Sequence, residues 1–205
     1  MITKKKSRPS ATGSQRRPSL GRLRSRIDEI DAEILSRLGE RYRVVRQIQQ
    51  AKKRDGGVVY QPERERSQLV RLHRLNERDG TPVKPEALDA IFREILSASR
   101  ALQAALSVTY LGPPGTFSER AAVEQFGSAA ELLPVASFPE VFRLVERGQA
   151  TFGVVPIENS TEGMVGSVLD AFVQSPLQIV AERQLLIRHS LLAKSAGLGR
   201  IRRIV

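Results

Sequence analysis

The sequence has no cysteine and only two histidines, His73 and His189, in 205 residues. Disulfides, thiolate metal sites and cysteine nucleophiles are therefore excluded. Two histidines are too few for a histidine-based metal site. No run of about 18 apolar residues occurs, so no membrane span is expected. The basic start, MITKKKSRPS, is followed by no apolar h-region, so a secretory signal is not expected either. These absences fit a cytoplasmic protein.

What is present is a hydrophobic fraction of 40%, enough for a packed core, in a chain long enough for one large domain or two small ones. The net charge of +11 is unevenly placed. Residues 1 to 18 hold Lys4, Lys5, Lys6, Arg8, Arg16 and Arg17 and no acid. Rich in Ser, Pro and Gly, this stretch is expected to be a disordered, solvated tail. A polyanion-binding arm is the alternative. Neither interleaved aromatics nor a nucleic-acid motif accompanies the charge, so no specific nucleic-acid partner is expected.

Apolar residues at helical spacing run from Leu20 through Leu23, Ile27, Ile30, Ile34, Leu38, Val45 and Ile48. The pattern predicts one helix to about Arg54, ended by the glycines of DGG at 55–57. Pro62 fits the first turn of a second helix, to about Asp79, with Glu63 and Glu65 near its positive end. A third helix is expected from Pro85 to about Leu106. Three helices of such unequal length cover one another poorly in a monomer, which points to an intertwined dimer. After Ser107 the texture changes. VTYL, Leu132–Val135 and FGVVP read as strands, alternating with helices at SERAAVEQF, PEVFRLVERG and near 164–173. Ser118 or Thr116 is placed to cap the first of these helices. Alternation of this kind implies a parallel sheet. LQIVAERQLLIRHSLLAK reads as two further strands, and IRRIV as the start of another.

One feature of the first helix is anomalous. At 100° per residue from Ile27, Arg41 falls at about 320° and Lys52 at about 340°, in the middle of the apolar stripe, with Arg24 at its edge. On the third helix Ser99 and Gln103 lie among Ile95, Leu102 and Leu106, and on the second Glu65 shares the stripe of Leu69 and Leu72. A buried unpaired charge costs too much to persist. Either these groups pair with one another, as Arg41 with Glu65, or a ligand supplies the missing charge. The surplus of cations and donors favours an anionic small molecule held between helices.

The segment from Leu20 to Leu106 resembles the all-helical chorismate mutase family, through LRSRIDEIDAEIL, ERYRVVRQIQQAK, PERER and IFREILSASRALQ. The resemblance implies an intertwined homodimer of three-helix chains, and substrate contacts at Arg24, Arg41, Lys52, Gln61, Arg64, Glu65, Ser99 and Gln103. Gln61 stands where many members have an acid. Arg24 (from the other subunit), Arg41 and Arg64 would clamp the carboxylates of chorismate. Lys52 and Gln103 would be catalytic, donating to the ether oxygen. Glu65 would hold the hydroxyl, and Ser99 would help at a carboxylate. The rearrangement to prephenate needs no nucleophile, metal or cofactor.

Residues 108–205 resemble the prephenate dehydratase family through YLGPPGTFSERAA and FGVVPIENSTEGMV. That family's fold is α/β and periplasmic-binding-protein-like, and Ser118, Asn159, Ser160 and Thr161 are its possible prephenate contacts here. Ordinary capping accounts for such residues equally well. The expected architecture is thus multidomain, α plus α/β. It comprises a tail at 1–18, a mutase domain at 19–107 and a partial dehydratase domain at 108–205. Both resemblances together imply a multifunctional enzyme, isomerase and lyase, of phenylalanine biosynthesis. The family's downstream Thr-Arg-Phe motif is not in the sequence, so mutase activity without dehydration is expected. A non-catalytic module that holds prephenate is the alternative.

Overall fold

The computed structural model describes residues 19–56, 59–161 and 163–188. The basic stretch 1–18 and the final IRRIV lie outside the described residues. The chain divides into two compact units, Met1–Gln47 and Ile48–Val205.

Helix α1, Leu20–Asp55, has the predicted start and stop. Lys52, Lys53 and Arg54 fill its last turn, where cations complement the negative helix end. Gly56 follows at φ 71°, the left-handed cap that glycine takes without strain. From Leu20 to Ile34 the apolar stripe is bare, with Ile27 57% and Ile34 53% exposed and Leu20, Leu23 and Ile30 likewise exposed, whereas Leu38 is half-buried and Val45 buried.

In the second unit, α2 (Pro62–Arg78) and α3 (Pro85–Ala101) each begin on a proline, with Glu63 and Glu65 in the first turn of one and Glu86 in that of the other. Asn76 Nδ2 donates to the Val83 carbonyl at 2.9 Å and closes the loop between them. Strand β1 (Ser107–Leu111) follows, then α4 (Phe117–Phe126), β2 (Glu131–Val135), α5 (Phe138–Glu146) and β3 (Phe152–Val154). The three strands form a parallel sheet in the order β2-β1-β3. Central β1 is sealed on both faces, with Val108, Thr109 and Tyr110 fully buried, as a strand covered by helices must be. A short antiparallel hairpin, β4 (Glu158–Asn159) with β5 (Gly163–Met164), precedes α6 (Gly166–Gln174).

Two expectations are corrected. Helix α3 ends at Ala101, not Leu106. The reason is that Leu106 belongs to the sheet layer. Its carbonyl accepts from Glu131 N at 2.9 Å, and its side chain joins the core of Tyr60, Val108, Ala122 and Phe126. Its apolar character thus serves the α/β core, although its spacing continues the helical stripe. The strands expected over LQIVAERQLLIRHSLLAK do not form at 177–188, which are irregular. Ile179, Val180 and Leu186 are exposed there, and none of the described strands pairs with this stretch. Residues 189–194 of that stretch lie outside the described residues.

The helical pair and the α/β layer share their packing. Gly127, at φ 75°, comes so close to α3 that a Cβ there would sit 2.4 Å from Ser97 Cβ. Ala129 N donates to Ser97 Oγ at 3.1 Å, and Ser128 Oγ donates to Glu94.

Candidate active site

The expected site residues of the second unit lie at helix ends. Gln61 is the residue before α2 and makes no side-chain capping bond. Exposed Arg64 and half-buried Glu65 are in the first turn. Ser99 is buried in the last turn of α3, where its Oγ donates to the Ile95 carbonyl at 2.5 Å. Gln103 lies just past that end. Its Nε2 donates to the Ser99 carbonyl at 3.2 Å, and its Oε1 is buried without a hydrogen-bond partner. Gln49 Nε2 donates to the Gln103 carbonyl at 2.5 Å, which ties the last turns of α1 to the end of α3. One turn on, Lys52 Nζ donates to the Val59 carbonyl at 3.3 Å. Arg24, exposed, and Arg41, half-buried, are on α1 in the first unit.

Sequence reasoning missed the residue that grips Glu65. Arg100 Nη1 donates to both Glu65 carboxylate oxygens at 2.6 Å. Arg100 Nη2 donates to the Phe126 carbonyl at the end of α4. The guanidinium carbon also lies 5.4 Å from the centre of the Tyr60 ring, within cation–π range. From Leu88, Arg100 falls at about 120°, just past the edge of the apolar stripe. Its position beside Leu96 was the signal available. A cavity of about 350 Å³ opens here, lined by Tyr60, Glu65, Arg93, Arg100, Gln125 and Arg183 among others. Lys52, Ser99 and Gln103 do not line it.

Tyr60 is part of the same arrangement. Its hydroxyl accepts from Gln125 Nε2 at 2.5 Å, and its ring lies 5.2 Å from those of Phe126 and Phe152. Burial pushes its phenol pKa up, and the Glu65 charge adds to that, against the opposing pull of Gln125, Arg100 and Arg183. Tyr110 is raised too, first by burial and then by its hydrogen bond to Glu119.

In the α/β layer, the loops after β1 and β3 leave the carboxyl ends of adjacent parallel strands. The order β2-β1-β3 puts these two loops side by side at the carboxyl end of the sheet, the end at which open α/β sheets take ligands. Ser118 is in the first turn of α4. Thr116 is its N-cap, accepting from Glu119 N at 3.4 Å. Asn159 Oδ1 accepts from Thr161 N at 2.9 Å, a local Asx turn. Asn159, Ser160 and Thr161 are exposed. No cluster of metal-binding side chains occurs among the described residues, and no helix among them is long and apolar enough to cross a membrane.

The folding pattern is that of a helical segment followed by an α/β segment, and each matches a family. Residues 23–104 match the chorismate mutase type II family, and residues 108–205 the prephenate dehydratase family. A bifunctional chorismate mutase/prephenate dehydratase of Stutzerimonas stutzeri is 42% identical over 188 residues, 89% of this chain and 51% of that protein. Proteins of the same name from Aquifex aeolicus and Escherichia coli (strain K12) are 39% and 33% identical, matching 90% and 83% of this chain and 51% and 48% of theirs. The solved prephenate dehydratase of Streptococcus mutans is 40% identical over 35% of this chain and 38% of that one, at a TM-score of 0.34. The chain belongs to the bifunctional chorismate mutase/prephenate dehydratase family, and it spans about half the length of the curated relatives it matches.

Proposed function

We propose that this chain is a chorismate mutase, rearranging chorismate to prephenate in phenylalanine biosynthesis, as a cytoplasmic homodimer. The observation that supports this best is the set of polar side chains at helix ends, Lys52, Gln61, Glu65, Ser99 and Gln103. They sit within a segment that matches the chorismate mutase type II family. The reaction breaks a C–O bond while forming a C–C bond in one molecule. The protein has only to hold the compact conformer and stabilise negative charge growing on the ether oxygen. Arg24, Arg41 and Arg64 bind the carboxylates, since guanidinium forks suit them bidentately. Lys52 and Gln103 donate to the ether oxygen. Gln61 and Glu65 hold the hydroxyl, and Ser99 assists at a carboxylate. The domains of this reading are 19–107 and 108–205.

The bare stripe of α1 supports the dimer. A helix of 36 residues is about 54 Å long, and its apolar residues from Leu20 to Ile34 are uncovered in a single chain. A second copy of the same helix supplies the cover. The loops after β1 and β3, side by side at the carboxyl end of the sheet, favour a second role for residues 108–205, which is to hold prephenate near Ser118, Asn159, Ser160 and Thr161. The lobed periplasmic-binding-protein-like form belongs to this part of the reading.

The test is chorismate consumption by the purified chain at neutral pH, with prephenate and phenylpyruvate measured separately. Saturable, enzyme-dependent formation of prephenate is expected. Prephenate binding without any chorismate turnover would instead favour the non-catalytic module.

A further inference from the structure

We propose that Arg100 is a positioning residue for the mutase site, aligning Glu65 by anchoring it to the α/β segment. The inference rests on the reading above, in which Glu65 holds the substrate hydroxyl. Glu65 is in the first turn of α2, and its side chain remains 21% exposed. Arg100 is 4% exposed, and its guanidinium is engaged with Glu65 and the Phe126 carbonyl. One nitrogen of its fork grips both carboxylate oxygens, and the other is fixed on the Phe126 carbonyl. That carbonyl is among the free acceptors at the C-terminal end of α4, where a cation is favoured.

The rest of the arrangement holds the fork in one orientation. Tyr60, two residues before Pro62, lies against the guanidinium and is itself packed against the stacked rings of Phe126 and Phe152. Gly127 admits α3 to van der Waals contact because it has no side chain. The start of α2 is thus pinned at two points, Tyr60 and Glu65, to groups of the α/β segment. A lysine at position 100 would satisfy Glu65 as a point charge but could not span to Phe126 with a planar fork. The geometry assigns the residues after 107 a part in mutase chemistry, since they set the angle at which Glu65 meets its ligand.

The test is a double-mutant cycle in the full chain, with chorismate turnover as the readout and circular dichroism and thermal melting to certify folding. Arg100→Met is expected to lower kcat/KM roughly 10- to 100-fold, the scale of losing orientation at a reacting group. Arg100→Lys, the milder variant, is expected to recover part of that loss. In a Glu65→Gln background, Arg100→Met is expected to change kcat/KM by less than about twofold, because the two residues act as one unit. Equal losses in both backgrounds would show that Arg100 serves only folding, and would overturn the proposal. An increase in kcat/KM on Arg100→Met would overturn it too, since Arg100 would then be restraining Glu65. A parent chain with no mutase turnover would refute the function itself, an outcome distinct from additive losses in an active parent.

Discussion

Helices α1 and α3 carry the same kind of apolar stripe and meet opposite fates. Between Leu20 and Ile34 the stripe of α1 is open to solvent, whereas α3, though Ile91 is exposed, buries Leu88 and Leu96 and with them Ser97, Ser99 and Arg100. The covered helix owes its cover to the loop at 127–129 and the end of α4, which approach α3 through Gly127, Ser128 and Phe126. An amphipathic helix does not specify its own partner. In this chain α3 is partnered by the α/β segment of the same polypeptide, while the stripe of α1 is left bare from Leu20 to Ile34.

The contrast breaks most visibly if the stripe of α1 is charged. Ile30→Glu with Ile34→Glu is expected to yield monomers in light scattering. Mutase turnover should drop by at least about a hundredfold, the scale of losing key electrostatic groups from a site. Unchanged mass and turnover would mean that the stripe is ordinary surface. On the covered side, Gly127→Ala is expected to destabilise the fold by about 2 kcal/mol or more, because a left-handed backbone and a steric clash act together. Gly148→Ala has a left-handed backbone but no neighbour within 4 Å, so denaturant unfolding should show a smaller loss. Equal losses would remove the close approach to Ser97 as a cause.

The smallest expected effect appears in alkali. Tyr60 and Tyr110 have raised pKa values in the fold. Their contribution to stability is complete below the unfolded phenol pKa of about 10 and is lost as pH rises through the folded values. Melting temperatures taken from pH 9 upward should therefore fall more steeply in the parent than in Tyr60→Phe. Parallel curves would show that Tyr60 ionises as freely in the fold as out of it.

Much of this was legible in the sequence, for local reasons. Gly56, Pro62 and Pro85 mark helix ends by backbone geometry alone, and alternation after Ser107 is enough to announce a parallel sheet. The end of α3 was not legible, because Leu106 continues the helical spacing while packing in the sheet layer. Apolar character at 177–188 looked like strands, but a strand needs a neighbour, and sequence does not reveal one. The site was legible as residue types. Its main electrostatic contact was not, because Glu65 and Arg100 are 35 residues apart and Arg100 falls at the edge of its stripe. The family segments meet between 104 and 108, yet one compact unit runs through that point.

Native-state hydrogen exchange tests that continuity most directly. If α3 and the α/β layer are one cooperative unit, the amides of Leu96 to Arg100 should open with the same free energy as those of Val108 to Tyr110. Both sets should also lose protection together in Gly127→Ala. Amides of α3 that exchange far faster than those of β1, with a response to Gly127→Ala confined to one set, would contradict the account.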